Sequence, residues 1–157
     1  MEREYRELQH MMEIAELRVK GIQDQHLLEW NFKVAEDTRY IQMAKRYVNN
    51  WQQVKGENLG LLLWGDVGTG KSFLAACIAN ALLDQGVPVT MTNFTKILNM
   101  LSDLQVKERC QYIASFGKVD LLIIDDLGVE RNSAYALEQV YAVIDERYKS
   151  NLPLIIT

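Results

Sequence analysis

The sequence predicts an α/β fold in which a mainly parallel sheet lies between layers of helices. Short apolar runs typical of buried strands alternate along the chain with longer stretches whose apolar residues recur every three or four positions, as in amphipathic helices. The first apolar run leads directly into a glycine-rich turn and then a helix. Because parallel strands need helical crossovers between them, this alternation indicates right-handed β–α–β units.

Size and composition limit the classes of protein to consider. A chain of 157 residues suits one domain, and 48% hydrophobic with 24% charged residues is typical of globular proteins. No run reaches the roughly 18 apolar residues of a membrane span. The N-terminal stretch MEREYRELQH is charged where a signal peptide would be apolar, so we expect a cytoplasmic protein without a membrane partner. The net charge of −4 argues against binding nucleic acid by bulk charge.

The N-terminal part of the chain is predicted to be a helix followed by a connector. A helix over residues 2–20, stopped by Gly21, carries an apolar stripe that is either a docking stripe or a core face. That stripe comprises Tyr5, Leu8, Met12, Ala15 and Val19. In the irregular connector that follows, Trp30 and Phe32 either line an adenine pocket or anchor the core. We expect residues 1–40 to form this N-terminal unit and residues 41–157 the main α/β core.

The core is predicted from its periodicity and its caps. Asp37 or Thr38 caps a helix that runs to about residue 53, and Ser133 caps a late helix that ends near residue 151. The predicted inward residues are Tyr40, Ala44, Tyr47, Val48 and Trp51 in the first of these helices, and Leu137, Val140, Tyr141, Ile144 and Tyr148 in the second. Two shorter helices are predicted over residues 94–104 and 107–116.

Four strands are predicted, over residues 59–64, 87–92, 119–124 and 153–157. The first is continuously apolar, so we expect it to be buried on both faces. Pro88 lacks a backbone N–H, which indicates a strand end or a sheet edge. Cys77 and Cys110 are too few for a disulfide framework or a metal cluster, and Cys77 is predicted to pack in the core because it falls on an apolar helix face.

The stretch LGLLLWGDVGTGKSF, residues 59–73, has the pattern of a phosphate-binding loop between a strand and a helix. Glycines let consecutive backbone N–H groups point inward, and the following helix N-terminus favours an anion. Lys71 would contact β- and γ-phosphate oxygens, and the Ser72 hydroxyl would be a ligand of Mg²⁺. The predicted nucleotide-binding residues are Gly65, Asp66, Val67, Gly68, Thr69, Gly70, Lys71, Ser72 and Phe73. A glycine-rich turn without a ligand is the alternative.

An acidic pair follows the third predicted strand, in the sequence LLIIDD. Ligands bind at the carboxyl ends of parallel strands, so Asp125 and Asp126 are expected beside the glycine-rich loop. Asp125 would hold Mg²⁺, and Asp126 would orient and polarise the attacking water. The predicted catalytic residues are therefore Asp126 and Lys71. A solvated turn is the alternative. Many ATPases with a glycine-rich loop and an acidic strand end carry glutamate at the second acidic position. Asp126 is one methylene shorter, which favours slow hydrolysis or a switching role. Glu130 is the alternative candidate for orienting the water.

The chain resembles the AAA+ ATPases of the DnaC/IstB-like group, which includes helicase loaders and transposase helpers. The resemblance lies in three stretches taken together: GDVGTGKSF, DLLIIDDLGVE and YAVIDERYKSNLPLIIT. The resemblance implies a three-layer αβα P-loop NTPase sandwich that uses ATP or ADP with Mg²⁺. It also implies ATP hydrolysis, a replicative helicase as partner, single-stranded DNA as a second ligand, and homo-oligomers in the ATP state. In that group the strand after this helix is followed by a sensor asparagine, an arginine acting on the neighbouring subunit and a helical lid. We therefore expect the natural domain to continue past Thr157.

Four functions are compatible with these residues. The leading one is an ATP-dependent helicase loader, and the second is an ATPase that assists a transposase. A small-molecule kinase is disfavoured because no arginine-rich lid is present, and a non-catalytic interaction module is favoured by the short Asp126. The basic residues between the second and third strands either meet DNA phosphates or form a solvated face. They are Lys96, Lys107, Arg109 and Lys118.

Overall fold

The computed structural model describes residues 2–128 and 133–157. The α-helices of this part are α1 (Glu2–Gly21), α2 (Arg39–Asn49), α3 (Trp51–Gly56), α4 (Lys71–Asp84), α5 (Phe94–Asp103), α6 (Val106–Ser115) and α7 (Ala134–Ser150). The strands are β1 (Leu61–Leu62), β2 (Val89–Asn93), β3 (Leu121–Asp125) and β4 (Leu154–Ile156), and a 3₁₀ helix covers Gln25–Glu29. This order of strands and helices confirms the predicted alternation.

The strands form one parallel sheet in the order β1-β4-β3-β2. Alternate residues of β3 point to opposite faces, so Leu121 and Ile123 pack against α2 and α4, while Leu122 and Ile124 pack against α5 and α7. Two hydrophobic clusters therefore lie on the two sides of the sheet. The predicted three-layer αβα architecture is confirmed, and β2, which Pro88 precedes, lies at one edge of the sheet, as expected.

Strand β1 is not buried on both faces, and that prediction was wrong. The strand lies at the other edge of the sheet and, among the strands of the described residues, pairs only with β4. Leu61 and Leu63 pack against the core, whereas Leu62 is 68% exposed and Trp64 86% exposed. A continuous apolar run does not distinguish an edge strand from a central one, because periodicity reports the side chains and not the number of neighbouring strands.

The end of helix α2 and part of its buried face differ from the prediction. Helix α2 ends at Asn49 because Asn50 leaves the helical conformation and its side-chain amide donates to the Arg46 carbonyl oxygen at 2.8 Å. Thr38 is the N-cap of α2, as one of the two alternatives predicted, but Tyr40 is exposed.

The capping role of Ser133 on α7 is confirmed by a hydrogen bond from the Ala136 N–H at 3.1 Å.

The buried face of α7 is displaced around the helix from the predicted one. Val140 and Ile144 pack against the core as predicted, but Leu137, Tyr141 and Tyr148 are exposed. Val143 and Arg147 are fully buried. Apolar spacing alone could not locate this face, because its largest buried member is an arginine. Arg147 is 1% exposed.

Helix α1 packs on α4 and β2 through its C-terminal half. Leu17 contacts the core and Arg18 forms an ion pair with Asp84. The members Tyr5, Leu8, Met12 and Val19 of the predicted stripe are exposed, so the core-face interpretation of that stripe was wrong. Its interpretation as a docking stripe stays a prediction. No helix among residues 2–128 and 133–157 combines the length and the apolar character needed to cross a membrane.

The two cysteines are expected to differ sharply in reactivity. Cys77 is completely buried, as predicted, and burial raises the pKa of its thiol to about 11, whereas Cys110 is exposed. Because the thiolate is the nucleophile, a maleimide should label one thiol per folded chain and two per chain in denaturant, as counted by intact mass. The variant Cys110→Ser should remain unlabelled when folded. Native labelling of that variant would contradict the burial of Cys77.

Candidate functional site

The glycine-rich loop connects the end of β1 to the start of α4 and needs left-handed backbone at its glycines. Gly68 and Gly70 both have φ of +82°, a conformation that costs other L-residues about 1–2 kcal/mol. A Cβ atom added at either position would meet no atom within 4 Å. The glycines are therefore required by the backbone and leave the inside of the loop accessible, a geometry that fits a phosphate.

Lys71 lies at the first position of α4 and bends over the loop. Its ammonium donates to the carbonyl oxygens of Gly65 at 2.9 Å and Asp66 at 2.8 Å, and the Thr69 hydroxyl donates to the same Asp66 oxygen at 2.8 Å. The lysine thus places a positive charge within the loop. Because α4 begins here, the first backbone N–H groups of the helix have no intrahelical acceptor and favour an anion at the same place.

Asp125 is the last residue of β3, and Asp126 immediately follows it. Asp125 is half-buried and accepts a hydrogen bond from the Thr157 hydroxyl, with 2.6 Å between Oδ1 and Oγ1. Asp126 is exposed and has a left-handed backbone with φ of +53°. Its backbone N–H donates to Thr157 Oγ1 at 2.9 Å. The acidic pair is therefore held by a residue at the end of the neighbouring strand.

The sheet order places the loop and the acidic pair at one edge. Leu62 of β1 and Ile124 of β3 both lie in register with Ile156 of β4. Neighbouring strands are about 4.8 Å apart, so β1 and β3 are separated by about 10 Å with β4 between them. The glycine loop, Thr157 and Asp125 consequently occur side by side at the carboxyl edge of the parallel sheet. Ser72 and Asp125 supply the hydroxyl and carboxylate oxygens that Mg²⁺ prefers, so these residues fit that metal.

Aromatic residues border the start of α4. The rings of Trp30 and Phe73 have centroids 5.7 Å apart at an interplanar angle of 52°. Trp30 also packs against the core, which confirms its interpretation as a core anchor, and its contact with adenine stays a prediction. Phe32 packs against the same core as Trp30, and the ammonium of Lys45 lies 5.9 Å from its ring centroid.

Sequence reasoning missed Asn80, which fixes Trp30 in place. This residue is 2% exposed, and its amide nitrogen donates to the carbonyl oxygens of Leu27 at 2.8 Å and Trp30 at 2.9 Å. It thereby joins α4 to the connector that precedes α2. A lone asparagine within the apolar stretch of α4 was the available signal, because a buried amide must find hydrogen-bond partners.

The predicted basic residues do not form one free surface. Lys96 pairs with Asp24, and Arg109 donates from Nε to the Leu104 carbonyl oxygen at 2.8 Å. Lys107 and Lys118 are both exposed. Glu130, the substitute for Asp126, lies outside the described residues.

The parallel three-layer fold, with a glycine-rich loop and an acidic strand end at one edge, is that of AAA+ P-loop domains. The family model described as "IstB-like ATP binding protein" matches residues 1–157. The chain therefore belongs to the family of IstB-like ATP-binding proteins, within the DnaC/IstB-like AAA+ group.

Individual relatives come from DNA replication and from insertion sequences. The replicative helicase loader DnaC of Escherichia coli K12 is 30% identical over 116 residues, which cover 72% of this chain and 46% of DnaC. A putative insertion sequence ATP-binding protein of Sinorhizobium fredii is 36% identical over 99 residues, covering 60% of this chain and 32% of that protein. The crystal structure of DnaI has a TM-score of 0.68 and 27% identity, covering 85% of this chain and 74% of that chain. The chain thus spans less than half the length of these two curated relatives.

Proposed function

We propose that this chain binds ATP with Mg²⁺ at the carboxyl edge of its sheet and hydrolyses it slowly. The observation that carries the proposal is the joint placement of the left-handed glycine loop and the acidic pair at one sheet edge. In this proposal residues 65–73 form the nucleotide site, with Phe73 and Trp30 beside the base. Residues 1–40 act as an N-terminal unit and residues 41–157 as the nucleotide-binding core.

Each side chain then has a definite role. The loop N–H groups and the α4 N-terminus hold the phosphates, and the Lys71 ammonium moves from the loop carbonyls to the β- and γ-phosphate oxygens. Ser72 and Asp125 would hold the metal, which supplies charge neutralisation between the β- and γ-phosphates when bound. Asp126, exposed at the same edge, orients the attacking water and accepts its proton.

Substitution of Asp126 should separate binding from turnover. We expect Asp126→Asn to bind ATP as the unchanged chain does but to lose about 100-fold or more in single-turnover hydrolysis, because the amide cannot accept the proton. Asparagine is the matched replacement since it tolerates the left-handed backbone that this position has, with φ of +53°.

The same single-turnover assay also distinguishes an enzyme from a binding module. Hydrolysis by the unchanged chain that disappears in Asp126→Asn supports a slow ATPase. Equal hydrolysis in both would move the role of general base to Glu130. Full ATP binding without any hydrolysis by the unchanged chain would favour a nucleotide-dependent interaction module.

The proposed biological role is ATP-dependent loading of a replicative helicase. Similarity to DnaC over 72% of the chain supports this role, and α1 presents the exposed apolar residues Tyr5, Leu8 and Met12 to a protein partner. ATP would favour one of two conformations of the module and its neighbours, including homo-oligomers, and hydrolysis would remove that bias. Single-stranded DNA is the second proposed ligand, with Lys107 and Lys118 as the contacts that the described ion pairs leave available.

A transposase is the second candidate partner. The observation that favours it is the 36% identity to the insertion sequence ATP-binding protein. Both candidates use the same nucleotide site, so the partner that co-elutes with the chain in the presence of Mg²⁺ and ATP distinguishes them. DNA binding that weakens as salt increases would support the electrostatic contact.

A further inference from the structure

Thr157 connects β4 to both aspartates of the acidic pair through one hydroxyl group. Its Oγ1 accepts the Asp126 N–H at 2.9 Å and lies 2.6 Å from Asp125 Oδ1. A hydroxyl has one proton to donate. Because the Asp126 N–H is a donor and the carboxylate is an acceptor, that proton points to Asp125. The Asp126 N–H therefore fixes the direction of the hydrogen bond that the Thr157 hydroxyl donates to the Asp125 carboxylate.

The backbone around Thr157 makes this contact a rigid one. The Thr157 N–H donates to the Ile124 carbonyl oxygen at 3.1 Å, and the Leu127 N–H donates to the Thr157 carbonyl oxygen at 2.9 Å. Residues 124–127 are thus attached to Thr157 on both sides of the acidic pair. These bonds also stabilise the left-handed conformation of Asp126, which a non-glycine residue adopts at a cost.

We propose that Thr157 is a positioning residue that sets the orientation of the Asp125 carboxylate and of the Asp126 backbone for the metal–nucleotide complex. The inference rests on the proposed function and assigns to Thr157 a role that acts through Asp125. One oxygen of the carboxylate is held by the Thr157 hydroxyl, which leaves the other oxygen in a defined direction. Partners that orient a metal-binding carboxylate typically change metal affinity by 10–100-fold when they are removed.

The test measures how much Mg²⁺ is needed for nucleotide binding. We measure the binding of a fluorescent ATP analogue to the full chain at increasing Mg²⁺ concentrations. The proteins compared are the unchanged chain, Thr157→Val, Thr157→Ala and Thr157→Ser. Valine keeps the shape of threonine without its hydroxyl, alanine removes the hydroxyl with less volume, and serine keeps the hydroxyl. We expect the valine and alanine variants to need about ten-fold more Mg²⁺ for half-maximal binding, and serine to stay close to the unchanged chain.

Binding in EDTA is the control for folding and for the phosphate loop. All four proteins should bind the analogue equally there, because Thr157 contacts neither the loop nor Lys71 among the described hydrogen bonds. An unchanged Mg²⁺ requirement in Thr157→Val, or an equal increase in Thr157→Ser, would overturn the positioning role. Absence of analogue binding by the unchanged chain at any Mg²⁺ concentration would overturn the proposed function itself, and this inference with it.

Discussion

Replacing Lys71 with alanine should weaken ATP binding about 100-fold while leaving the fold intact. The ammonium is the one lysine charge that the described structure places within the glycine loop, 2.8 Å from the Asp66 carbonyl oxygen. Charge-assisted contacts of this kind contribute about 1.5–3 kcal/mol each, and about 1.4 kcal/mol corresponds to ten-fold in affinity. Isothermal titration with Mg²⁺ and ATP measures the change directly.

Two further variants make this experiment specific. Lys71→Met keeps most of the aliphatic stem and should lose affinity to the same extent, since the charge and not the volume is responsible. Lys107→Ala is the matched control because Lys107 is an exposed lysine near the N-terminus of another helix, α6, and it should bind ATP unchanged. Wild-type affinity in Lys71→Ala would show that the glycine loop does not hold the phosphates.

Replacing Arg147 with methionine should destabilise the protein by about 3–5 kcal/mol. The guanidinium makes five hydrogen bonds to four buried or half-buried carbonyl oxygens. The acceptors are those of Pro153, Phe116, Val119 and Asp120. Burial lowers the pKa of the guanidinium to about 10, with the Asp120 carboxylate opposing that shift, so the charge persists at neutral pH. Methionine fills similar space and removes these five hydrogen bonds, while the Pro153 oxygen keeps a long one from the Leu122 N–H at 3.4 Å.

Urea denaturation measures this loss as a shift of the unfolding midpoint at constant slope. Arg46→Met is the matched control, since Arg46 is an exposed arginine of α2, and surface substitutions usually change stability by about 0.5 kcal/mol or less. Arg147→Lys should also be destabilised, because one ammonium cannot replace a planar fork of five donors. A loss below about 1 kcal/mol in Arg147→Met would contradict the assigned role of these hydrogen bonds.

The predictable parts of this molecule are those that local chemistry determines. Glycine spacing and the strand-to-helix transition locate the loop that Gly68 and Gly70 form, because few residues tolerate φ of +82°. The alternation of strands and helices was sufficient for the three-layer fold. Caps such as Ser133 were also predictable, since a side chain and a backbone N–H three residues apart make the contact.

The unpredicted parts depend on contacts between residues far apart in sequence. The edge position of β1 depends on strand order, which the apolar pattern of residues 59–64 does not report. The buried face of α7 depends on Arg147 reaching carbonyl oxygens near residues 116–120 and 153. Likewise, the bond between Thr157 and Asp125 joins residues on neighbouring strands, 32 positions apart.

The most direct test of the account is co-elution of the chain with the replicative helicase of its host in Mg²⁺ and ATP, measured by size-exclusion chromatography with light scattering. We predict a complex whose stability depends on ATP and which Lys71→Ala weakens or abolishes, whereas Lys107→Ala, which changes only the proposed DNA contact, forms it normally in the absence of DNA. A chain that binds ATP normally but never associates with the helicase would contradict the loader role.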